Sequence, residues 1–297
     1  MNEDKPIIFS WPGQEGLALG LQAKVSAEAG RFEWRRFPDG ESYLRIVSGL
    51  KGRTAVLCAS LDRPDDKLAP LLWWAATARE LGAKRLVLVA PYLAYLRQDA
   101  RFQEGEGVTS RYFAKLLSTH FDALLTVDPH LHRYRSLDEI YAIPSRVLSA
   151  APEIAAWVRG EVERPVFLGP DAESDQWVSR VAALAGAPYA VAEKRRLGDR
   201  QVELRLPQVE AWSGFTPVLV DDIISTAATM LETLRQLKAA GWPAPVCVGV
   251  HAIFAGRAYE DLSAAGAAAI ITCNTVPHPS NRIDISESLS TALSEML

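Results

Sequence analysis

Short runs rich in Val, Ile and Leu alternate along the chain with longer Ala- and Leu-rich stretches whose apolar positions recur every three to four residues. The short runs have the length and composition of buried strands, and the longer stretches carry helical periodicity. Strands are predicted over residues 54–60, 85–90, 123–127, 166–169, 218–220, 246–250 and 268–272. Helices are predicted over 67–81, 110–117, 153–159, 177–184, 229–240 and 258–264, the first of them stopped by Gly82. Apolar strands alternating with helices predict an α/β chain whose sheets are mainly parallel and flanked by helices. The pattern breaks at Ile143-Pro144-Ser145 and then repeats its theme. Two similar domains follow, 1–145 and 146–297, with the extreme C-terminus free to pack back on the first.

Composition agrees with that division. At roughly 150 residues per domain, 297 residues suit two domains, each with its own core. A balance of 32 Lys plus Arg against 36 Asp plus Glu, without a basic block, argues against binding along a nucleic-acid backbone. No apolar run reaches the roughly 18 residues of a membrane-spanning helix. Cys58, Cys247 and Cys273 each sit inside an apolar run without pairing or metal-ligand spacing, so buried thiols are expected. The opening MNEDKP has no basic segment leading into an apolar one, and a cytoplasmic setting is the expectation.

Any phosphate chemistry must therefore be local, and residues 217–229, PVLVDDIISTAAT, are where it concentrates. An apolar strand ends at two acids and passes through small residues into a helix. The backbone N–H groups of Thr226, Ala227, Ala228 and Thr229, the hydroxyls of Ser225, Thr226 and Thr229, and the positive end of the helix dipole suit one phosphate. Asp221 and Asp222 suit vicinal sugar hydroxyls or a Mg²⁺ bridging to them. The plainer reading makes Asp222 a turn residue and Ser225 or Thr226 an ordinary helix N-cap.

This segment resembles the phosphoribosyl diphosphate (PRPP) motif shared by phosphoribosyltransferases and PRPP synthetases. Further segments resemble ribose-phosphate pyrophosphokinase, the PRPP synthetase family, in matching order. Phe37-Pro38-Asp39-Gly40-Glu41 reads locally as a turn. In that family the matching loop contacts the adenine of ATP bound by a neighbouring subunit, through residues matching Phe37, Asp39 and Glu41. The resemblance therefore implies a homo-oligomer. Arg97-Gln98-Asp99, after a predicted strand, places guanidinium and amide groups where open α/β sheets bind ligands. It resembles the family's ATP-contacting Arg-Gln-Asp segment.

Asp128-Pro129-His130 also follows a strand. It resembles the family's Asp-x-His at the ATP and Mg²⁺ site, which implies a catalytic His130 and a metal held by Asp128, His130 and Asp171. A metal hydrolase would need a further ligand cluster, and the chain has no HExxH helix. Lys194-Arg195-Arg196 precedes Gly198 and is ordinarily a solvated face. The family has a catalytic loop opening Lys-x-Arg, matching Lys194 and Arg196, which phosphoribosyltransferases generally lack.

The resemblance spans roughly residues 37 to 285 and implies two phosphoribosyltransferase-like domains, with ATP and ribose 5-phosphate as substrates and Mg²⁺ as cofactor. The implied reaction carries the β,γ-diphosphoryl group of ATP to the C1 hydroxyl of ribose 5-phosphate. The alternatives are a phosphoribosyltransferase that consumes PRPP and a catalytically silent homologue. Two departures from the family pattern stand out. Ala228 replaces the usual Gly and is expected at positive φ, at a cost on the order of 1 kcal/mol. Glu173 brings a carboxylate toward the loop that meets the diphosphate.

Overall fold

The computed structural model describes residues 5–169, 174–196, 202–205, 212 and 214–297, with the backbone alone for 193–196 and 202–205. Two compact units form: Met1–Leu148 with Ser286–Leu297, and Ser149–Ile285. The α/β class and the mainly parallel, helix-flanked sheets expected from the periodicity are present in both.

The first unit contains β1 (Ile7–Ser10), α1 (Glu15–Lys24), β2 (Glu28–Ala29), β3 (Phe32–Arg36), β4 (Ser42–Ile46), β5 (Thr54–Cys58), α2 (Pro64–Glu80), β6 (Arg85–Ala90), α3 (Thr109–His120), β7 (Ala123–Val127) and β8 (Ser145–Leu148). Its parallel sheet runs in the order β2-β1-β5-β6-β7-β8. Strands β5, β6 and β7 are apolar on both faces because helices cover both. Trp74 of α2 is fully buried, edge-on to Phe9 and stacked with Phe121. Truncating such a side chain to Ala typically costs about 3–5 kcal/mol.

Strands β3 and β4 form a separate antiparallel hairpin. Its inward positions Phe32, Trp34 and Leu44 pack on the core, with Trp34 at 5.1 Å from Trp11. Glu33 and Arg45 face each other across the exposed side. Period-two alternation with charged outer positions lacks the apolar run that flags a buried strand, which is why these two strands were not among the predicted elements although the turn at 37–41 was.

The second unit contains α4 (Ala151–Glu161), β9 (Pro165–Gly169), α5 (Asp175–Ala185), β10 (Tyr189–Val191), β11 (Glu193–Arg196), β12 (Val202–Arg205), β13 (Thr216–Ile224), α6 (Ala228–Ala239), β14 (Val246–Ala252), α7 (Ala258–Ala265), β15 (Ala269–Cys273) and β16 (Asn281–Ile283). Its sheet, again parallel, runs β10-β9-β13-β14-β15-β16. Chain order reverses between β9 and β13, so a ligand crevice is expected at their carboxyl ends.

Strand β13 continues four residues beyond the predicted 218–220, through both acids to Ile224. Pairing of Ile223 with His251 and of Ile224 with Ala252 carries it there. Gly249, opposite Asp221, permits that approach, since a Cβ at this position would lie 2.6 Å from Ile224 Cγ1. Strands β11 and β12 form a separate antiparallel hairpin.

The last helix, α8 (Ser286–Met296), belongs to the first unit. Its buried Leu289, Ala292 and Leu293 face inward, and exposed ion pairs Lys24–Glu287 at 2.9 Å and Arg146–Glu295 at 2.7 Å flank the contact. All three cysteines are buried, and burial pushes the Cys58 and Cys247 thiols up to about 12. No helix among the described residues is long and apolar enough to cross a membrane.

Candidate active site

The segment 217–229 folds as strand, short loop and helix. Asp221 and Asp222 are half-buried near the carboxyl end of β13. Successive strand positions set the two side chains apart. Each carboxylate accepts from the next backbone N–H, Asp221 Oδ1 from Asp222 at 3.0 Å and Asp222 Oδ1 from Ile223 at 2.8 Å. The repulsion expected of adjacent acids is eased by this arrangement without removing either one from the crevice edge.

The left-handed residue of the loop is Ala227, at φ 56° and ψ 16°, and Ala228 is the first residue of α6. The strain predicted for Ala228 thus falls one residue earlier, because the turn must complete before the helix begins. Ala227 is also the N-cap, so the ordinary capping role considered for Ser225 or Thr226 is not the one found. Its methyl has no oxygen to offer the first helical N–H groups, and an N-terminus of this kind attracts anions. Thr226 and Ala228 are exposed, and Ser225 and Thr229 are half-buried.

A second segment braces this loop. After β14 the chain turns through Phe254 at φ 34°. Phe254 N–H donates to Ile224 O at 2.8 Å, and Ala255 N–H donates to Ser225 O at 3.0 Å. Beneath it, Thr275 Oγ1 donates to Val250 O at 2.8 Å, so its 3.0 Å contact with buried His251 makes Nδ1 the donor. His251 is held in one tautomer, a feature that no sequence signal identified.

In the first unit, two loops follow β6 and β7. The β6 loop carries exposed Arg97, half-buried Gln98 and buried Asp99. The Asp99 carboxylate accepts from Arg133 Nη1 at 2.7 Å, with its side chain 2% exposed. Of the three, Asp99 is turned inward onto the protein. The β7 loop begins at Asp128, which adopts φ 33° and whose N–H donates to Leu148 O at 2.8 Å. His130 lies half-buried, its ring 3.8 Å from that of His132. Arg101 and Arg111 line an open cleft of 550 Å³ with Glu139 and with Arg133, whose Nη1 is already paired with Asp99. That concentration of guanidinium groups suits polyphosphate oxygens.

Phe37, Asp39 and Glu41 stand exposed at the tip of the β3–β4 hairpin. The turn is closed by Gly40 N–H to Phe37 O at 2.9 Å, with Gly40 at φ 94°, and Asp39 Oδ1 accepts from Glu41 N–H at 3.2 Å. Arg35 lies 4.6 Å from the Phe37 ring and 4.4 Å from that of Tyr43, which steadies an otherwise displayed aromatic. Lys194 and Arg196, expected on a loop, lie on β11 at the register positions opposite Leu204 and Val202. Asp171 and Glu173 lie outside the described residues.

Two parallel α/β units, one carrying an acid-acid strand end that leads into an uncapped helix, define a protein of the phosphoribosyltransferase type. Residues 136–286 match the family model of the phosphoribosyl transferase domain, and residues 6–120 match the N-terminal domain of ribose phosphate pyrophosphokinase. A ribose-phosphate pyrophosphokinase of Methanopyrus kandleri is 35% identical over 95% of this chain and 97% of its own length. Another, of Sulfolobus acidocaldarius, is 34% identical over 88% of this chain and 90% of its own length. The crystal structure of phosphoribosylpyrophosphate synthetase from Mycobacterium smegmatis superposes with a TM-score of 0.85 at 23% identity, covering 98% of both chains, a likeness of fold. The chain belongs to the ribose-phosphate pyrophosphokinase family.

Proposed function

We propose that this chain is a ribose-phosphate diphosphokinase, which makes PRPP and AMP from ATP and ribose 5-phosphate. The observation that carries the reading is the loop of β13 and α6. A left-handed Ala227 opens an uncapped helix directly behind Asp221 and Asp222, in a chain whose other half matches the family's N-terminal domain. Thr226 to Thr229 hold the 5-phosphate on backbone N–H groups and hydroxyls, and Asp221 and Asp222 accept from the ribose hydroxyls.

The C1 hydroxyl oxygen attacks the β-phosphorus, the bond from that phosphorus to the bridging oxygen of AMP breaks, and the hydroxyl proton passes to solvent. In-line transfer of this kind needs positioning and charge neutralisation more than covalent chemistry. Arg97, Gln98 and His130 orient ATP, and Lys194 and Arg196 neutralise the leaving AMP phosphate. Phe37, Asp39 and Glu41 seat the adenine of a neighbouring subunit in a homo-oligomer.

Asp128 supplies carboxylate oxygens two residues from the ring nitrogens of His130, on a loop at the end of β7. Mg²⁺ is typically held by one or two carboxylates together with substrate phosphates and water, and this donor set fits it. Asp128 and His130, with Asp171, would hold the ion, which when bound shields the phosphate oxygens from the approaching nucleophile.

The test is ³¹P NMR of the protein with ATP, ribose 5-phosphate and Mg²⁺. AMP and a sugar diphosphate should appear in equal amounts, and only when all three are present. Unchanged ATP, or its conversion to ADP and phosphate, would overturn the reading.

A further inference from the structure

The segment that carries Arg97 and Gln98 lies between β6 and α3 and contains neither helix nor strand, so other contacts must hold its shape. Around Gln98 and Asp99 those contacts come from the loop that carries His130 and from the first turn of α3. Arg133 Nη1 donates to the Asp99 carboxylate at 2.7 Å, and Tyr134 Oη donates to the Asp99 carbonyl at 3.1 Å. A phenol has one proton, so in its 3.0 Å contact with Ser110 Oγ the serine donates and Tyr134 accepts. Ser110 N–H in turn donates to Gln98 O at 3.3 Å.

Ser110 and Tyr134 are buried, and so is the carboxylate of Asp99, so water is kept from the bonds that Tyr134 makes. The Arg133 guanidinium is half exposed and also lies 5.0 Å from the Phe102 ring, farther along the same loop. The backbone on either side of the Gln98–Asp99 peptide is therefore clamped to the chain three and four residues past His130.

Resting on the reading that Arg97, Gln98 and His130 contact ATP, we infer that Arg133 and Tyr134 are positioning residues for the nucleotide. Arg133 Nη1 is spent on the Asp99 carboxylate and the Tyr134 hydroxyl proton on the Asp99 carbonyl, so both act through Asp99. Through Asp99 they fix the spacing between the Arg97–Gln98 pair and the Asp128–His130 loop, so that both meet one triphosphate without a fresh ordering cost at each binding event. Their loss should weaken ATP binding and leave ribose 5-phosphate binding alone.

Deleting Arg133 by itself leaves a buried carboxylate unpaired and risks unfolding the unit. The informative variants are Tyr134→Phe, Arg133→Lys, and the double variant Arg133→Met with Asp99→Asn, which removes both charges together. Each is titrated calorimetrically as the full chain with Mg²⁺ and α,β-methylene ATP, whose bridge cannot be cleaved, and separately with ribose 5-phosphate. Steady-state KM and kcat are measured alongside, and circular dichroism checks folding.

Tyr134→Phe and the double variant should bind the analogue about tenfold more weakly, with the KM for ATP raised alike and ribose 5-phosphate affinity unchanged. Arg133→Lys should fall between them and the wild type. A merely structural contact would lower the active fraction, and so kcat, at constant KM. Folded variants with wild-type affinity for the analogue, or with both ligands weakened equally, would overturn the inference. A wild-type protein that binds no ATP analogue would instead remove the functional reading on which it rests, and the inference with it.

Discussion

Arg36, the last residue of β3, donates from Nη2 to the backbone carbonyl of Asp66 in α2 at 3.1 Å. That carbonyl is the one Pro70 leaves without a helical donor, because proline has no N–H to return to the residue four before it. The end of the hairpin, immediately before Phe37, is thus anchored in a gap that the helix sequence creates. The Arg36 contact with the Asp66 carboxylate, at 3.4 Å between exposed groups, adds little.

A double-mutant cycle should expose this dependence. Arg36→Met is expected to lower stability by roughly 0.5–1.5 kcal/mol in the natural sequence. In a Pro70→Ala background the restored helical N–H satisfies the same carbonyl, and the Arg36→Met cost should shrink. Urea unfolding of the four proteins measures the coupling, and strictly additive changes would show that Arg36 does not serve the Asp66 carbonyl.

The loop between β13 and α6 makes a contrast between two neighbouring alanines. Ala227 is left-handed and buried, whereas Ala228 is helical and exposed. A β-branched side chain is poorly tolerated at positive φ, so Ala227→Val should cost roughly 1–3 kcal/mol and raise the KM for ribose 5-phosphate. Ala228→Val should cost only about 0.5 kcal/mol, the propensity difference in a helix. Calorimetric midpoints of the two variants decide the matter. Equal losses would mean that the strain is not localised at Ala227.

His278 gives the second unit a pH dependence. Its ring packs against Phe254 at 4.5 Å and Tyr259 at 4.9 Å, and its Nδ1 accepts from Ser280 N–H at 3.2 Å. Desolvation holds its pKa below the usual 6.5, opposed by the nearby Glu260 carboxylate. The native state therefore favours neutral imidazole, and protons bind preferentially to the unfolded chain. The contribution of His278 is complete above about pH 6.5 and is lost as pH falls through its lower folded value. Thermal midpoints measured from pH 8 down to pH 5 should fall less steeply for His278→Leu than for the natural protein. Parallel curves would contradict the shift.

The fully buried strands were legible because both their faces are apolar, and helices such as α3 and α6 because their periodicity marks one covered face. The acid-acid segment was legible as a strand leading into a helix, although its strand was read too short. Nothing local says that β13 passes through two carboxylates, since that extension depends on Ile223 and Ile224 finding His251 and Ala252 on β14. Strands β3 and β4 hid for a related reason even though the turn between them was read, as their outer face is charged and their inner face is covered by Trp11 and its neighbours.

By itself, then, the sequence determined the α/β class, the alternation of strands and helices, and the strand-to-helix passage at 217–229, because burial periodicity and turn chemistry are local properties. Tertiary structure decided which alanine takes the left-handed conformation and which member of Arg97-Gln98-Asp99 turns inward. Both depend on partners distant along the chain: Ser225 is braced by Ala255, and Asp99 meets Arg133 across 34 residues. Burying a carboxylate is costly unless the fold delivers a partner to it, and that delivery is a property of packing rather than of any local pattern.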